Sequence, residues 1–450
     1  NTPRMRAEAL AAALSDEEIA GLMLYSPHQA VPTDSAGFWS STYNGTSLRE
    51  SGLPHSAVSD KQKRFLREDH LRAVLVVRVE SPRIAAQWNN GLQAFVEGLD
   101  HGIPVNISSD PRNETKARAE YNAGAGGSIS LWPCPIGLAA TFDPALVERF
   151  GRIASVEYRA LGIATALSPQ IDLATEPRWN RFYGTFGEDP DLDTDMARAY
   201  IDGFQTSEGP AEIADGWGYE SVNAMVKHWP GGGPEEGGRD AHFSFGKYTV
   251  YPGGNLDEHI RPFAEGAFRL HGKTRQAAAV MPYYTVSYGA DPSGRNVGNG
   301  FSRYILTDLL RDKYGYDGVI CTDWGITHDY VRVEEADGKC WGTESLSVAE
   351  RHYEALRAGV DQFGGNSDIR PILEAYRLGC EKYGEPVMRA RMERSAVRLL
   401  KNIFRCGLFE NPYLDPAESE AVVGCEAFAK AGYEAQLRSV VLVKNRSVLP

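Results

Sequence analysis

No apolar stretch in these 450 residues approaches the ~20 that a membrane-spanning helix requires. Cysteine is scarce. The six residues (Cys134, Cys321, Cys340, Cys380, Cys406 and Cys425) include no C-x-x-C pair, which argues against a zinc ribbon, a thioredoxin-like motif or a disulfide scaffold. Positive charge is in deficit: 47 Lys and Arg face 60 Asp and Glu, a net charge of −13. A general nucleic-acid binder needs clustered cations for phosphate, so that class is disfavoured. No G-x-G-x-x-G follows the first strand-like run and no H-E-x-x-H occurs, so neither a nicotinamide cofactor nor a catalytic metal is expected. The chain opens at Asn1 without an apolar leader, and the compartment (cytoplasmic, periplasmic or secreted) stays open.

What is present is ordinary globular material. A hydrophobic fraction of 42% beside 24% charged residues allows a large core and excludes a wholly disordered chain. Short apolar runs recur, each followed by a longer helical pattern. Arg72–Val79 reads as a strand and Gln87–Leu99 as the helix after it. Pro104–Ser108 precedes the helix pattern Pro144–Leu161, and a run near Ile163–Leu167 comes next. Val222–Lys227, Ala277–Met281 and Val319–Thr322 repeat the theme. Asp257–Leu270 places Ile260, Phe263, Ala264, Ala267 and Phe268 on one helical face, and Ser345–Ala358 and Ile369–Leu378 behave similarly. Such alternation implies parallel strands with helical crossovers, an α/β fold, and about six to eight units suit a (β/α)8 TIM-like barrel.

A basic amphipathic helix, Glu393–Phe404, stops near Gly407, and Asn411–Pro416 reads as irregular linker. A helix over Cys425–Ser439 and a strand start at Val440–Val443 follow. The expected organisation is a catalytic barrel over residues 1–405, a linker over 406–430, and the truncated beginning of a second α/β domain over 431–450.

A parallel barrel places its chemistry at the C-terminal ends of its strands. Polar residues after the apolar runs are therefore the candidates. They are Asp110 with Arg112; Asp172, then Arg178, Trp179 and Arg181; Lys227 and His228; Tyr283 and Tyr284; and Asp323 with Trp324. Each alone has a plain structural reading as cap, surface ion pair or packing residue. Together they supply carboxylates, cations and aromatics around one mouth. Sugars are held by that mixture, with charged groups on the hydroxyls and flat rings on the apolar ring face.

Three motifs in fixed order give these residues a family resemblance. Pro177-Arg178-Trp179-Asn180-Arg181 is followed by Gly187-Glu188-Asp189-Pro190. Lys227-His228-Trp229-Pro230-Gly231 comes next, and then Gly315-Tyr316-Asp317-Gly318-Val319-Ile320-Cys321-Thr322-Asp323-Trp324-Gly325. The chain resembles the catalytic barrel of glycoside hydrolase family 3, the β-glucosidase-like exo-acting glycosidases, from about Leu131 onward. Gly407-Leu408-Phe409 and Ser439–Asn445 resemble the barrel exit and the first strand of that family's α/β-sandwich domain.

The resemblance implies roles. Asp323 matches the nucleophile that forms a glycosyl-enzyme ester. Asp110 matches the carboxylate on distal sugar hydroxyls, and Arg181, Lys227 and His228 match the cationic cluster around the sugar. Tyr284 and Trp324 match the aromatics beside the nucleophile. It further implies a retaining exo-β-glycosidase acting on a small carbohydrate or glycoside, with glucose the leading sugar. No cofactor, nucleic acid or membrane partner is implied, and oligomeric state is open. A β-N-acetylglucosaminidase, a β-xylosidase and a non-catalytic sugar binder are the alternatives. In the glucosidase branch the acid/base is a Glu of the second domain, expected beyond Pro450 and completing the site. In the glucosaminidase branch it is a D-x-H dyad, and Asp240-Ala241-His242 is a loose match that reads more simply as a polar loop over the site. Two departures stand out: Asn180 replaces a Gly, and Gly184 replaces a Glu near the sugar. Glu235 and Glu236 read as solvated loop charges.

Overall fold

The computed structural model describes residues 2–33, 40–114, 128–329 and 339–449. The apolar runs are too short to make helices and too rich in branched residues to prefer them, so they pair as strands. Seven form one parallel sheet in chain order: β1 (Gln29–Val31), β2 (Ala73–Val79), β3 (Asn106–Ser109), β4 (Ile163–Ala166), β5 (Asn223–Trp229), β6 (Ala279–Pro282) and β7 (Val319–Ile320). Register sets Val74 opposite Ile107, Thr165 opposite Asn223 and Met225 opposite Ala279. All seven residues of β5 are buried, and only Arg78 of β2 is exposed. Burial on both faces is what a parallel sheet wrapped by helices requires.

Residues 361–363 join the β7 end of the sheet to Met23–Tyr25, the segment that leads into β1. The Asp361 and Gln362 N–H groups donate to the Ile320 carbonyl at 2.9 and 3.0 Å. On the other side the Phe363 N–H donates to Met23 O at 2.8 Å, and Tyr25 N–H donates to Phe363 O at 3.1 Å. The seam consists of single bridges, Cys321 to Gln362 and Leu24 to Phe363, in place of a regular ladder. The architecture is that of a TIM-type α/β barrel, as the alternation implies.

The surrounding helices start where the chain supplies caps. Pro82–Glu97, Pro144–Ala160 and Pro190–Gln205 each carry proline in the first turn, and each is capped by the side chain before it, Ser81, Asp143 or Asp189. Asp189 of the Gly187–Pro190 motif is thus a helix cap. Pro144–Ala160 and Pro190–Gln205 approach through two glycines: a Cβ on Gly203 would lie 2.3 Å from the Glu148 carbonyl and 2.8 Å from the Gly151 Cα.

Two expectations need correcting. Asp257–Leu270 is not one α-helix: Leu256–Arg261 is α-helical, and a π-helical turn follows over Pro262–Ala267. Pro262 has no N–H to donate into the preceding turn, so the hydrogen-bonding pattern changes there. Its buried face nevertheless contains Ile260, Phe263 and Ala267, as the spacing implies. Val440–Val443 is not in a strand: the four side chains are 61–90% exposed, and no β-bridge among the described residues involves them.

Beyond the barrel, Pro416–Val422 packs against Pro82–Glu97 and Pro144–Ala160. The buried Glu157 carboxylate ties this region down. It accepts from Ser130 N–H (2.9 Å), Ser130 Oγ (2.6 Å), Asn113 Nδ2 (3.0 Å) and Gly424 N–H (2.8 Å). Among the described residues all six cysteines are free, and no helix is long and apolar enough to cross a membrane.

Candidate active site

The candidate side chains sit at or just beyond the C-terminal ends of strands, with Arg178, Trp179 and Arg181 on the loop that follows β4. Asp110 follows β3, and Lys227 and His228 lie near the C-terminal end of β5. Tyr283 and Tyr284 follow β6, while Asp323 and Trp324 follow β7. Lys227 Nζ is 3.3 Å from Asp110 Oδ1, and both side chains are largely buried. Arg181 Nη1 lies 3.4 Å from His228 Nε2. The Tyr284 hydroxyl donates to the Trp324 carbonyl at 3.0 Å, which places it beside Asp323. Asp323 is 7% exposed, and its Oδ1 accepts from the Trp324 N–H at 2.7 Å. Trp324 meets Tyr25 edge to face at 5.1 Å, and a Cβ on Gly364 would lie 2.7 Å from its ring. Only a glycine leaves the indole room there. The expected residues therefore converge on one mouth.

Asp172, a strand-end candidate to which the resemblance assigns no role, organises the centre. It is fully buried after β4. Its Oδ2 accepts from Gln170 Nε2 (3.0 Å) and faces His228 Nδ1 at 2.8 Å. Its Oδ1 accepts from the backbone N–H groups of His228 (3.1 Å) and Gly232. Burial alone would push this carboxyl up, but His228 and these hydrogen bonds outweigh it and hold it below its ordinary value. Burial lowers the His228 pKa despite Asp172, and Arg181 adds to the fall. The arrangement fits a neutral imidazole, with Nδ1–H donating to Asp172 and the Nε2 lone pair accepting from Arg181. Asp172 thus fixes the ring that touches Arg181 and lies within electrostatic reach of Asp323.

The loop after β5 carries a second network. Asp240 Oδ1 accepts from His242 N–H (2.9 Å) and faces His242 Nδ1 at 2.7 Å, while Oδ2 accepts from Trp179 Nε1 at 2.9 Å. Burial opposes ionisation here too, but His242 and Arg181 hold Asp240 well below the usual carboxylate range. The His242 ring packs edge-on against Tyr284 at 5.2 Å. The two residues therefore form a hydrogen-bonded pair against the site's wall. Glu235, expected to be solvated, is only 2% exposed; the loop folds inward and its carboxyl accepts from Ala241 N–H at 3.2 Å. Arg178, by contrast, turns away to pair with Glu176 at the surface.

Asp110, Arg181 and Lys227 line a cleft that continues to Arg112, Tyr158, Tyr183 and Gly184; Asp323 is not in its wall. A Cβ on Gly184 would lie 3.0 Å from Gln170 Oε1, so Gln170 presents a polar group where the resemblance leads one to expect a Glu at residue 184. Among the described residues no three His, Cys, Asp or Glu side chains cluster so as to hold a metal ion.

Fold and site together define a TIM-type barrel whose mouth concentrates carboxylates, cations and aromatics. Residues 44–372 match the model of the glycosyl hydrolase family 3 N-terminal domain. A periplasmic β-glucosidase/β-xylosidase of Dickeya chrysanthemi is 42% identical over 82% of this chain and 56% of its own length. A probable β-glucosidase C of Aspergillus flavus is 36% identical over 98% of this chain and 64% of its own. Among solved structures, a β-glucosidase of Listeria innocua in complex with glucose superposes with a TM-score of 0.71 at 21% identity, covering 99% of this chain and 53% of that one. The chain belongs to glycosyl hydrolase family 3. It spans a little over half the length of these relatives.

Proposed function

We propose that this chain forms the nucleophile-bearing and sugar-holding half of a retaining exo-β-glycosidase that releases a terminal glucose. The observation that carries the reading is the convergence of Asp323 with His228, Arg181 and the Lys227–Asp110 pair at one barrel mouth. The names of the relatives, β-glucosidase and β-glucosidase/β-xylosidase, support that substrate class.

Asp323 attacks the anomeric carbon, the C–O bond to the leaving group breaks, and water later cleaves the resulting ester. Asp110 and Lys227 hold hydroxyls of the sugar, while Arg181, positioned by the neutral His228, presents donors to others. Tyr284 and Trp324 fix the position of Asp323 through the Trp324 backbone. A second α/β domain supplies the acid/base carboxyl in this reading.

A second reading rests on the 2.7 Å contact between Asp240 and His242. There His242 delivers the proton to the leaving group and Asp240 stabilises the imidazolium. Replacing His242 by Ala separates the two: it removes turnover of poor leaving groups only if His242 is the acid.

The direct test of the central claim is a 2-deoxy-2-fluoro-β-glucosyl donor with an excellent leaving group, which needs little acid assistance. Mass spectrometry of the labelled peptide is expected to find the sugar on Asp323. A label on another carboxylate would refute the assignment. Failure of every glycosyl donor, including the xylosyl one, would favour the non-catalytic binder.

A further inference from the structure

Asp110 is carried by a short segment beyond β3, residues 110–113, that belongs to no helix or strand. Its carboxyl meets Lys227 Nζ at 3.3 Å. The last turn of the helix Pro144–Ala160 grips this segment with two adjacent side chains. The Tyr158 hydroxyl accepts from the Arg112 N–H at 2.9 Å and donates to the Asp110 carbonyl at 3.4 Å, so both of its roles are filled. The Tyr158 ring is 1% exposed and stands edge-on to Phe204 at 5.5 Å. Glu157 holds the other end of the segment: its Oε2 accepts from Asn113 Nδ2 at 3.0 Å. The Asn113 carbonyl in turn accepts from the Trp132 N–H at 2.6 Å. A flexible stretch bearing a sugar-holding carboxylate is thus fixed by side chains of a packed helix, which can hold it more precisely than the stretch could hold itself.

The same Glu157 carboxylate reaches the linker beyond the barrel. Its Oε1 accepts from the Gly424 N–H at 2.8 Å and from the Ser130 N–H at 2.9 Å. Only glycine seats there: residue 424 has φ +68°, and a Cβ on it would lie 1.5 Å from the Ser128 carbonyl. One buried side chain therefore joins the chain after Pro416–Val422 to the segment that bears Asp110.

We propose that Tyr158 and Glu157 are positioning residues for Asp110, and that through Glu157 the seating of the linker at Gly424 sets how tightly the site holds its sugar. The sugar is that of the glycosidase reading, on which this inference rests; the placement of Asp110 against Lys227 does not depend on it. Neither residue takes part in the chemistry. They act on the backbone and side chains around Asp110, whose contact with the substrate is made in ground and transition states alike, so their effect falls on affinity rather than on turnover. Linkage makes the coupling reciprocal: a bound sugar holds the linker more firmly in its seat.

Tyr158→Phe removes the hydroxyl and leaves the ring packing in place. On the full-length protein it is expected to weaken glucose binding, read by calorimetric titration, about five- to tenfold. KM for an aryl β-glucoside should rise by a similar factor, with kcat kept within about threefold. Gly424→Ala, which unseats the linker and touches no sugar-holding residue, is expected to weaken glucose binding about threefold. The decisive comparison is a double-mutant cycle in kcat/KM. In an Asp110→Ala background both substitutions are expected to add no further loss, because the group they position is gone, whereas a merely structural role would give losses that add. Additive losses, or glucose affinity unchanged in Tyr158→Phe or in Gly424→Ala, would overturn the proposal. A wild type that binds neither glucose nor xylose would count against the glycosidase reading, and the acetylation rate of Lys227 by acetic anhydride then judges the geometry alone. Tyr158→Phe is expected to raise that rate at least about threefold, as Asp110→Ala does, because a loosened Asp110 no longer shields the ammonium. An unchanged rate would overturn the proposal by itself.

Discussion

Asp172→Asn tests the organisation of the site with an almost isosteric change. The native carboxylate faces four donors: Gln170 Nε2, His228 Nδ1 and the N–H groups of His228 and Gly232. An Asn can present its oxygen to one pair only, so its NH₂ meets two donors whichever way the amide turns. Hydrogen bonds to a charged group contribute about 1.5–3 kcal/mol each, and buried unsatisfied donors cost about 1–3 kcal/mol. Partial relaxation of the loop recovers some of this, so a net loss of about 3 kcal/mol is expected, measured as a lower denaturant midpoint with unchanged slope. His228 also loses its orienting acceptor, and a misplaced imidazole next to Arg181 is expected to lower kcat/KM by about a hundredfold. The pH dependence has a defined sign. The Asp172 pKa in the folded chain lies below its unfolded value. Its contribution to stability is therefore present above the unfolded pKa and lost as pH falls through the folded one. The Asn variant lacks that acid-side loss. A variant within about 0.5 kcal/mol of wild type at pH 7, with the same acid unfolding curve, would refute the claim that Asp172 holds the site.

Asp323→Asn is expected to retain the fold and sugar affinity while losing turnover by at least about a thousandfold, checked by calorimetric titration alongside rate measurement. Asp110→Ala is expected to raise KM more than it lowers kcat, because it removes a contact made in both ground and transition states. Gly203→Ala inserts a Cβ 2.3 Å from the Glu148 carbonyl, so two helices must separate. Overpacking of this kind costs about 1–3 kcal/mol, readable as a drop in Tm. Glu157→Ala strips the acceptor from Ser130, Asn113 and Gly424 and is expected to cost about 2–4 kcal/mol, with hydrogen exchange accelerating first over Gly424–Arg438.

Much of the barrel was legible because its signals are local. A helix read over Pro144–Leu161 is found at Pro144–Ala160, since its cap Asp143, its first-turn proline and its apolar face all lie within one short stretch. Strand runs at Val222–Lys227 and Ala277–Met281 match β5 and β6 to within about two residues. β1 escaped notice because it is only three residues long, and its partner comes from residues 73–79. Strand ends pointed to Asp110, Lys227, His228, Tyr284 and Asp323 for the same local reason: each polar side chain follows an apolar run, and parallel strands all finish at one rim.

The sequence by itself thus determined which residues crowd the barrel mouth and which order of motifs places the chain in its family. Tertiary structure alone decided how those residues are wired. Asp172 also follows an apolar run, but its partners lie 56 and 60 residues away at His228 and Gly232, a pairing no local pattern encodes. Glu235 and Glu236 are adjacent in sequence and look alike as loop acids. One is buried and the other exposed, because the fold turns Glu235 inward to the Ala241 N–H and leaves Glu236 facing Arg239 at the surface. Charge state follows burial and neighbours, and both are properties of the assembled barrel rather than of any stretch of chain.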